Sequence, residues 1–295
     1  METRFLIIDG NSLVCRAVYA NVHANLKSKE GIPTGGTLFF FNMLISVLNK
    51  LRPTHLVVAF DVSRHTFRSA LDANYKANRY KSVGSNGSLI QQLKQVQALL
   101  QEASIPCVAV PGFEADDVIG TYVTFSEATH NYILTGDRDA FQLINDQTTV
   151  LYPKTGISKL EHVDVETFKQ RFNVDVKHYA DYKALIGDVS DNITGCPGCG
   201  PKNAVNLLTR YEGLVGLRQH AQELPGKLGK RLQAWLPNSE HTSTLVTIRR
   251  DVPVPYNYAQ CTYKPTFSHL LPTLATLELS QLSQRIVKGD IHGQN

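Results

Sequence analysis

A chain of 295 residues, 42% hydrophobic and 19% charged, has enough apolar surface for one large core or two modest ones, which excludes a disordered segment, a coiled coil or a disulfide-stapled miniprotein. Five sparse cysteines point to reduced thiols, no apolar run approaches the roughly 18 residues of a membrane span, and METRFLIIDG lacks the make-up of a secretory signal, so a soluble cytoplasmic protein is expected. The net charge of +4 hides an unevenness: nine of the 26 acidic residues sit in a few short motifs and the remainder of the chain is basic, a balance that suits a polyanionic ligand held against metal cations.

Four apolar, β-branched or aromatic runs read in chain order as buried strands: Phe5 to Ile8, Leu56 to Phe60, Cys107 to Val110 and Tyr132 to Thr135. Apolar residues at helical spacing lie between them, at Thr37 to Leu51, Leu89 to Ala103 and Ala115 to Ala128. The alternation predicts an α/β fold with a mostly parallel central sheet and flanking helices. The polar run YKSVGSNGS, Tyr80 to Ser88, contributes no core and reads as a loop or arch. Beyond about Val174 strand signals stop, and helices are expected at Tyr179 to Ile186, Lys202 to Tyr211, Gly213 to His220, Leu228 to Leu236 and Leu271 to Ile286. The expected division is an α/β core over residues 1–175, with an arch near 74–95, and a helical region over 176–295.

The acids fall where such a sheet places its ligands. Asp9 follows the first strand, Asp61 the second, Glu114 stands shortly after the third, and Asp137 comes two residues after the fourth; topology gathers the C-terminal ends of parallel strands along one edge. Glu114, Asp116 and Asp117 open a helix, as do Asp137 and Asp139. Helix capping explains one acid per helix, worth only about 0.3–1 kcal/mol each, and leaves the crowding unexplained. Asp188 and Asp191 in GDVSDN add a further pair from the helical region. Carboxylates this crowded repel one another unless cations neutralise them, and an oxygen-only donor set points to Mg²⁺ or Mn²⁺, two or more ions. Ten histidines without a pair three to five residues apart, and a single CxxC, argue against zinc.

NITGCPGCGPKNAVNLL, residues 192–208, places Gly195, Gly198, Gly200 and Pro197 in a tight connection between two helices, so residues 185–211 look like a helix-hairpin-helix. Its glycines would let backbone N–H groups approach a phosphodiester, with Lys202 adding a point charge; an ordinary helix turn is the alternative. Cys196 and Cys199 read as buried thiols packed between the helices. NYKANRYK concentrates Tyr75, Lys76, Arg79, Tyr80 and Lys81, a mix that holds phosphates and stacks bases, or else a solvated helix face.

The motifs LIIDGNSLVCRA, FDVSRHTFR, NYKANR, PGFEADDVIGT, TGDRDAFQLI and KALIGDVSDNITGCPGCGPKNA, in this order, resemble the 5′-nuclease family, which includes the 5′ to 3′ exonuclease domain of bacterial DNA polymerase I and free-standing flap endonucleases. The resemblance runs to about Arg250 and implies a PIN-like core with a helical arch. It implies hydrolysis of DNA near 5′ flaps, nicks or free 5′ ends, with 5′-phosphate and 3′-hydroxyl products, and with metals held by Asp9, Asp61, Glu114, Asp116, Asp117, Asp137, Asp139, Asp188 and Asp191. Asp116 is also expected to share in catalysis with Lys76 and Arg79, which would contact the scissile phosphate from the arch base, and Arg16 would hold substrate near the metals. The same resemblance implies K⁺ at the hairpin, RNA–DNA hybrids as a further substrate class, and a monomer. Departures from the usual pattern are Cys15, Phe113, Asn203 and the SVGSNGS stretch. A metal-dependent ribonuclease and an inactive DNA-binding protein are the two rival readings.

Overall fold

The computed structural model describes residues 2–20, 26–78, 87–155 and 159–293. The first half alternates as expected: β1 Arg4–Asp9, α1 Gly10–Ala20, α2 Gly35–Leu51, β2 His55–Ala59, α3 Phe67–Leu71, α4 Gly87–Glu102, β3 Cys107–Val108, α5 Ala115–Phe125 and β4 His130–Leu134. There follow β5 Thr148–Thr155, β6 Lys159–Val163, α6 Val165–Phe172, α7 Tyr179–Ile186, the two-residue strands β7 Gly187–Asp188 and β8 Ile193–Thr194, and then α8 Pro201–Tyr211, α9 Leu214–Gln219, α10 Gly226–Trp235, α11 Ser239–Val246, α12 Leu271–Thr276 and α13 Ser280–Val287.

One sheet runs in the order β3-β2-β1-β4-β5-β6, parallel except for the antiparallel β5–β6 pair. Central β1 is flanked in register on both sides, Ile8 pairing with Val58 and with Leu134, so Asp9 stands at the middle of the C-terminal edge. β5, β6 and the small β7–β8 ladder were not anticipated, and β3 is shorter than expected. In β5 the run of Thr, Val, Leu and Tyr is interrupted by Pro153, a residue that speaks against an interior strand; here the ladder with β6 shifts register between Pro153 and Thr155 and accommodates it. The strand expected at Cys107 to Val110 is only two residues long, because it is a sheet edge and the chain turns at Pro111 and Gly112, the latter at φ +87°. The small β7–β8 ladder interrupts a region expected to be purely helical.

Each face of the sheet carries its own core. One face packs Phe5, Ile7 and Val57 against α5 and onward to Leu185, Leu208 and Leu232 of the helical region. The opposite face packs Leu6, Ile8 and Val58 against α2 and α4, and Phe267, Leu274, Leu282 and Ile286 close over it. Residues 267–291 thus return to the sheet. The single helix expected there is broken into α12 and α13 around Glu278, which adopts the left-handed conformation at φ +56°. Among the described residues no helix is long and apolar enough to cross a membrane.

Candidate active site

Asp9 is 8% exposed at the end of β1, where its carboxylate accepts hydrogen bonds from Ser12 N–H at 2.9 Å and from the Thr135 hydroxyl at 2.7 Å. The Thr135 Oγ1 in turn accepts from Asp137 N–H at 2.9 Å, and Asp139 N–H donates to Asp137 at 2.9 Å, so one short chain of bonds joins β1 to the turn after β4. Asp61 accepts from Ala115 N–H at 2.8 Å and ties the end of β2 to the start of α5. Arg16 reaches the same turn, its Nη1 3.7 Å from the position a Cβ on Gly136 would take. Burial, with the Asp61 and Asp137 charges alongside, pushes the Asp9 carboxyl up to about 7.

The second group of acids comes from the helical region. Gly187, at φ +76°, ends α7, and Asn192 turns the chain at φ +59°; between them the loop delivers Asp188 and Asp191. Asp139, Asp188 and Asp191 present carboxylate oxygens all within 4.8 Å of one another, the only such group of three among the described residues. Three carboxylates this close suit a hard divalent cation. Lys183 of α7, which sequence reasoning did not single out, ion-pairs with both Asp139, at 2.7 Å, and Asp188. Its signal was its place in KALIGD, five residues ahead of an acid and on the last turn of a helix. Burial raises Asp139, and the neighbouring Asp137 adds to it, to about 6 even with Lys183 alongside. Burial also pushes Asp188 up, but hydrogen bonds from Lys183 and Ser190 outweigh it and hold it below the ordinary carboxylate range.

Between these two groups stands the start of α5. Glu114 is its N-cap, and Asp117 closes back on Glu114 N–H at 3.1 Å. Lys76 Nζ donates to both Glu114 oxygens at 2.8 Å and lies 3.7 Å from Asp191, while Lys76 N–H donates to the Asp191 carbonyl at 2.8 Å. Lys76 holds the left-handed conformation at φ 55°, a strained placement for a lysine that these contacts maintain. Burial works against its charge, but Glu114 and Asp191 win and keep the ammonium protonated above its usual range. Asp116 is driven well above the carboxylate range by burial, with Asp117 and Glu114 adding to the effect and Arg68 opposing it.

Two expected roles change. Asp117, counted among the metal-holding acids, has no exposed surface: both its oxygens pair with Arg68, at 2.7 and 2.8 Å, and one also accepts Arg249 N–H at 2.9 Å. Helix capping and a buried ion pair thus account for it. Tyr75, expected to stack bases, is 7% exposed and packed in the core, its hydroxyl 2.9 Å from Glu114 and 3.2 Å from Asp191, so it offers no ring face to a ligand. Arg79, Tyr80 and Lys81 lie outside the described residues, as does the rest of 79–86 within the expected arch; Gly87 and Ser88, placed in that loop, already belong to α4.

In the hairpin the three glycines do different work. Gly195 crosses the backbone of Gly187 so closely that an added Cβ would lie 2.3 Å from Gly187 N and 2.4 Å from the Leu185 carbonyl oxygen. Gly198, at φ +78°, sits under the Arg231 guanidinium, 2.3 Å from where its Cβ would be. Gly200 faces open space at the N-terminus of α8, with exposed Lys202 in the first turn. The first two shape the turn, and Gly200 and Lys202 are open to a phosphate at the helix N-terminus. Cys196 and Cys199 are buried, and burial pushes the Cys199 thiol up to about 12.

The Asp9 shift sets a pH dependence for the protein without metal. A carboxyl that titrates near 3.8 unfolded and near 7 folded holds its proton more tightly in the fold, so the stabilisation is complete below about pH 4 and is lost as pH rises through 7. Asp9→Asn is therefore expected to stabilise the metal-free protein by about 2–3 kcal/mol more at pH 8 than at pH 5, read as the difference in urea midpoints. An equal effect at both values would mean that Asp9 is ionised throughout.

Residues 4–173 match the family described as 5′-3′ exonuclease, N-terminal resolvase-like domain, and residues 174–268 match 5′-3′ exonuclease, C-terminal SAM fold. A 5′-3′ exonuclease of Bacillus subtilis is 34% identical over 99% of this chain and 95% of its own length. DNA polymerase I of Mycobacterium tuberculosis is 39% identical over 84% of this chain, which spans 27% of that polymerase. Among solved structures, a bacteriophage T5 flap endonuclease in complex with DNA and metal ions shares the fold, with a TM-score of 0.72, 20% identity, and 97% and 99% of the two chains covered.

Proposed function

This chain belongs to the 5′-3′ exonuclease family, and we propose that it is a structure-specific 5′ nuclease that hydrolyses DNA phosphodiesters at flaps, nicks and free 5′ ends with Mg²⁺ or Mn²⁺, acting as a monomer in the cytoplasm. The observation that carries this reading is the convergence of acids from strand ends and from the α7–α8 connection, with the protonated Lys76 and Lys183 set among them. Asp139, Asp188 and Asp191 would hold one divalent ion and Asp9, Asp61, Glu114 and Asp116 a second. When bound, such ions supply an activated water and stabilise the leaving 3′ oxygen.

The chain's own groups do the positioning. Lys76, fixed by Glu114 and by its backbone bond to Asp191, carries positive charge to the face where the phosphate is cut, and Arg16 adds another beside Gly136. Tyr75 holds Glu114 and Asp191 in relation to each other through one hydroxyl. Farther out, the open N-terminus of α8 and Lys202 would receive a duplex phosphate whatever the sequence. Lys202→Ala is expected to weaken duplex binding by a similar factor for every sequence and to lower the slope of log K against log salt by about one. An unchanged slope would remove Lys202 from the DNA path.

The test is a 5′-labelled flap duplex incubated with and without Mg²⁺, beside a blunt duplex and a flap whose arm is RNA. Metal-dependent release of the DNA arm supports the reading. Binding without cleavage in Mg²⁺ and in Mn²⁺ would overturn it in favour of a DNA-binding role, and preferential cutting of the RNA arm would favour a ribonuclease.

A further inference from the structure

Outside the acidic site lies an apolar cleft of about 520 Å³ lined by His65, Thr66, Phe67, Ser69, Gly112 and Phe113. It lies within the range of about 300–1,000 Å³ that small-ligand sites span. Its shape is built in: Thr66 and Gly112 form a parallel bridge, and Phe67 N–H donates to the Gly112 carbonyl at 3.0 Å, which sets Phe67 and Phe113 side by side with ring centroids 6.1 Å apart. Both rings are half-buried, neither sealed in the core nor free.

Arg249 completes the arrangement. Its backbone N–H is held by Asp117, its guanidinium is fixed by Asp251 through bonds of 2.8 and 2.5 Å, and the plate lies 5.4 Å from the Phe67 centroid and 5.6 Å from that of Phe113. Arg64 and His65 add exposed basic groups on the approach. The cleft also shares its wall with the acidic site, because Phe113 directly precedes Glu114 and Phe67 directly precedes Arg68. A strand whose phosphate lay at Glu114 and Lys76 would have a neighbouring base within reach of these two rings. Every base has a π face, and paired aromatic rings beside a guanidinium bind it without regard to sequence.

We infer that the Phe67–Phe113 cleft is a binding site for one unpaired nucleobase of the 5′ single-stranded arm, stacked next to the cut. The assignment rests on the nuclease reading of the adjoining acids and extends it, since it makes the single-stranded arm itself a recognised part of the substrate.

The test places the fluorescent base 2-aminopurine at successive positions of the arm and binds the full chain to it in Ca²⁺. Stacking quenches the probe, so one position is expected to darken on binding to the wild type, and that quench is expected to vanish in Phe113→Leu, which keeps an apolar side chain but loses the ring. Phe113→Leu should also weaken binding of arm-bearing duplex about tenfold more than binding of duplex without an arm. Absence of a quench at every position of the wild-type complex, a quench that survives in Phe113→Leu, or equal weakening on both duplexes would each overturn the assignment. The wild-type scan decides even if the variant fails to fold. Cleavage of the flap with no quenched position removes the cleft and leaves the nuclease; a quenched position on a flap that is never cleaved keeps the cleft and removes the nuclease.

Discussion

Replacing Arg68 with methionine is expected to cost the fold about 3–5 kcal/mol, the largest loss of stability anticipated from any single change outside the hydrophobic cores. Arg68 is 1% exposed, and all five of its N–H groups are committed: to Asp117 at 2.7 and 2.8 Å, to the Leu245 and Thr247 carbonyls at 2.9 Å, and to Glu114 at 3.4 Å. Methionine fills much of the volume but leaves Asp117 buried without its guanidinium, held only by the Glu114 and Arg249 N–H groups. The cost comes from that stranded carboxylate more than from the lost attraction. Asp117→Leu in the same chain removes the stranded charge, so the double variant should recover part of the stability, short of the Leu245 and Thr247 carbonyls left without donors and the Glu114 and Arg249 N–H groups left without an acceptor. Denaturant midpoints of the two single variants and the double variant close the cycle. A loss under 1 kcal/mol for Arg68→Met, or a double variant no better than the single, would sink the account. The same double variant checks the role given to Asp117: as a structural partner its loss leaves metal-dependent cleavage within about tenfold of the wild type, whereas the loss of a metal ligand takes away about a thousandfold.

That pair also shows where reading the residues in order reaches its limit. The strands were legible because apolar runs have a period of their own, and the acids were legible because each sits at a strand end that topology carries to one edge. Arg68 was not, although FDVSRHTFR was in plain view: an arginine after two polar residues and an aromatic looks solvated, and its partners lie between 46 and 179 positions along the chain. Tyr75 failed in the opposite direction. Its basic neighbours suggested a nucleic-acid surface, but the backbone turn at Lys76 points the ring inward and leaves only its hydroxyl facing Glu114 and Asp191. β5 was not legible as a strand; it lies between β4 and β6, and the register shift at Pro153 that lets it pair is set by β6 rather than by its own pattern. The tail gave a helical period but no partner, since the sheet face it covers is assembled from residues over a hundred positions earlier. Short-range pattern sets which elements form; long-range pairing decides which charged groups become structure and which are left for chemistry.

Among the residues left for chemistry, Asp139 is the one whose loss should be most nearly complete. It belongs to both arrangements of the second acidic group: its oxygen falls within 4.8 Å of those of Asp188 and Asp191, and it pairs with Lys183 at 2.7 Å. Lys183 supplies one positive charge to three carboxylates, which leaves the group net negative, and burial with the neighbouring Asp137 raises Asp139 to about 6. A divalent ion would supply what is missing, and protons would compete with it below about pH 6. Asp139→Asn keeps the side chain's size but cuts its negative charge, so cleavage of a flap duplex at saturating Mg²⁺ should fall by at least about a thousandfold, some 4 kcal/mol of barrier. Binding of the same duplex should stay within a few-fold, because the phosphate contacts assigned to Lys76, Arg16 and Lys202 do not pass through Asp139. The two readouts together carry the argument. Equal loss of binding and cleavage would make Asp139 a structural acid like Asp117, and cleavage within tenfold of the wild type would mean that Asp188 and Asp191 hold the ion without it.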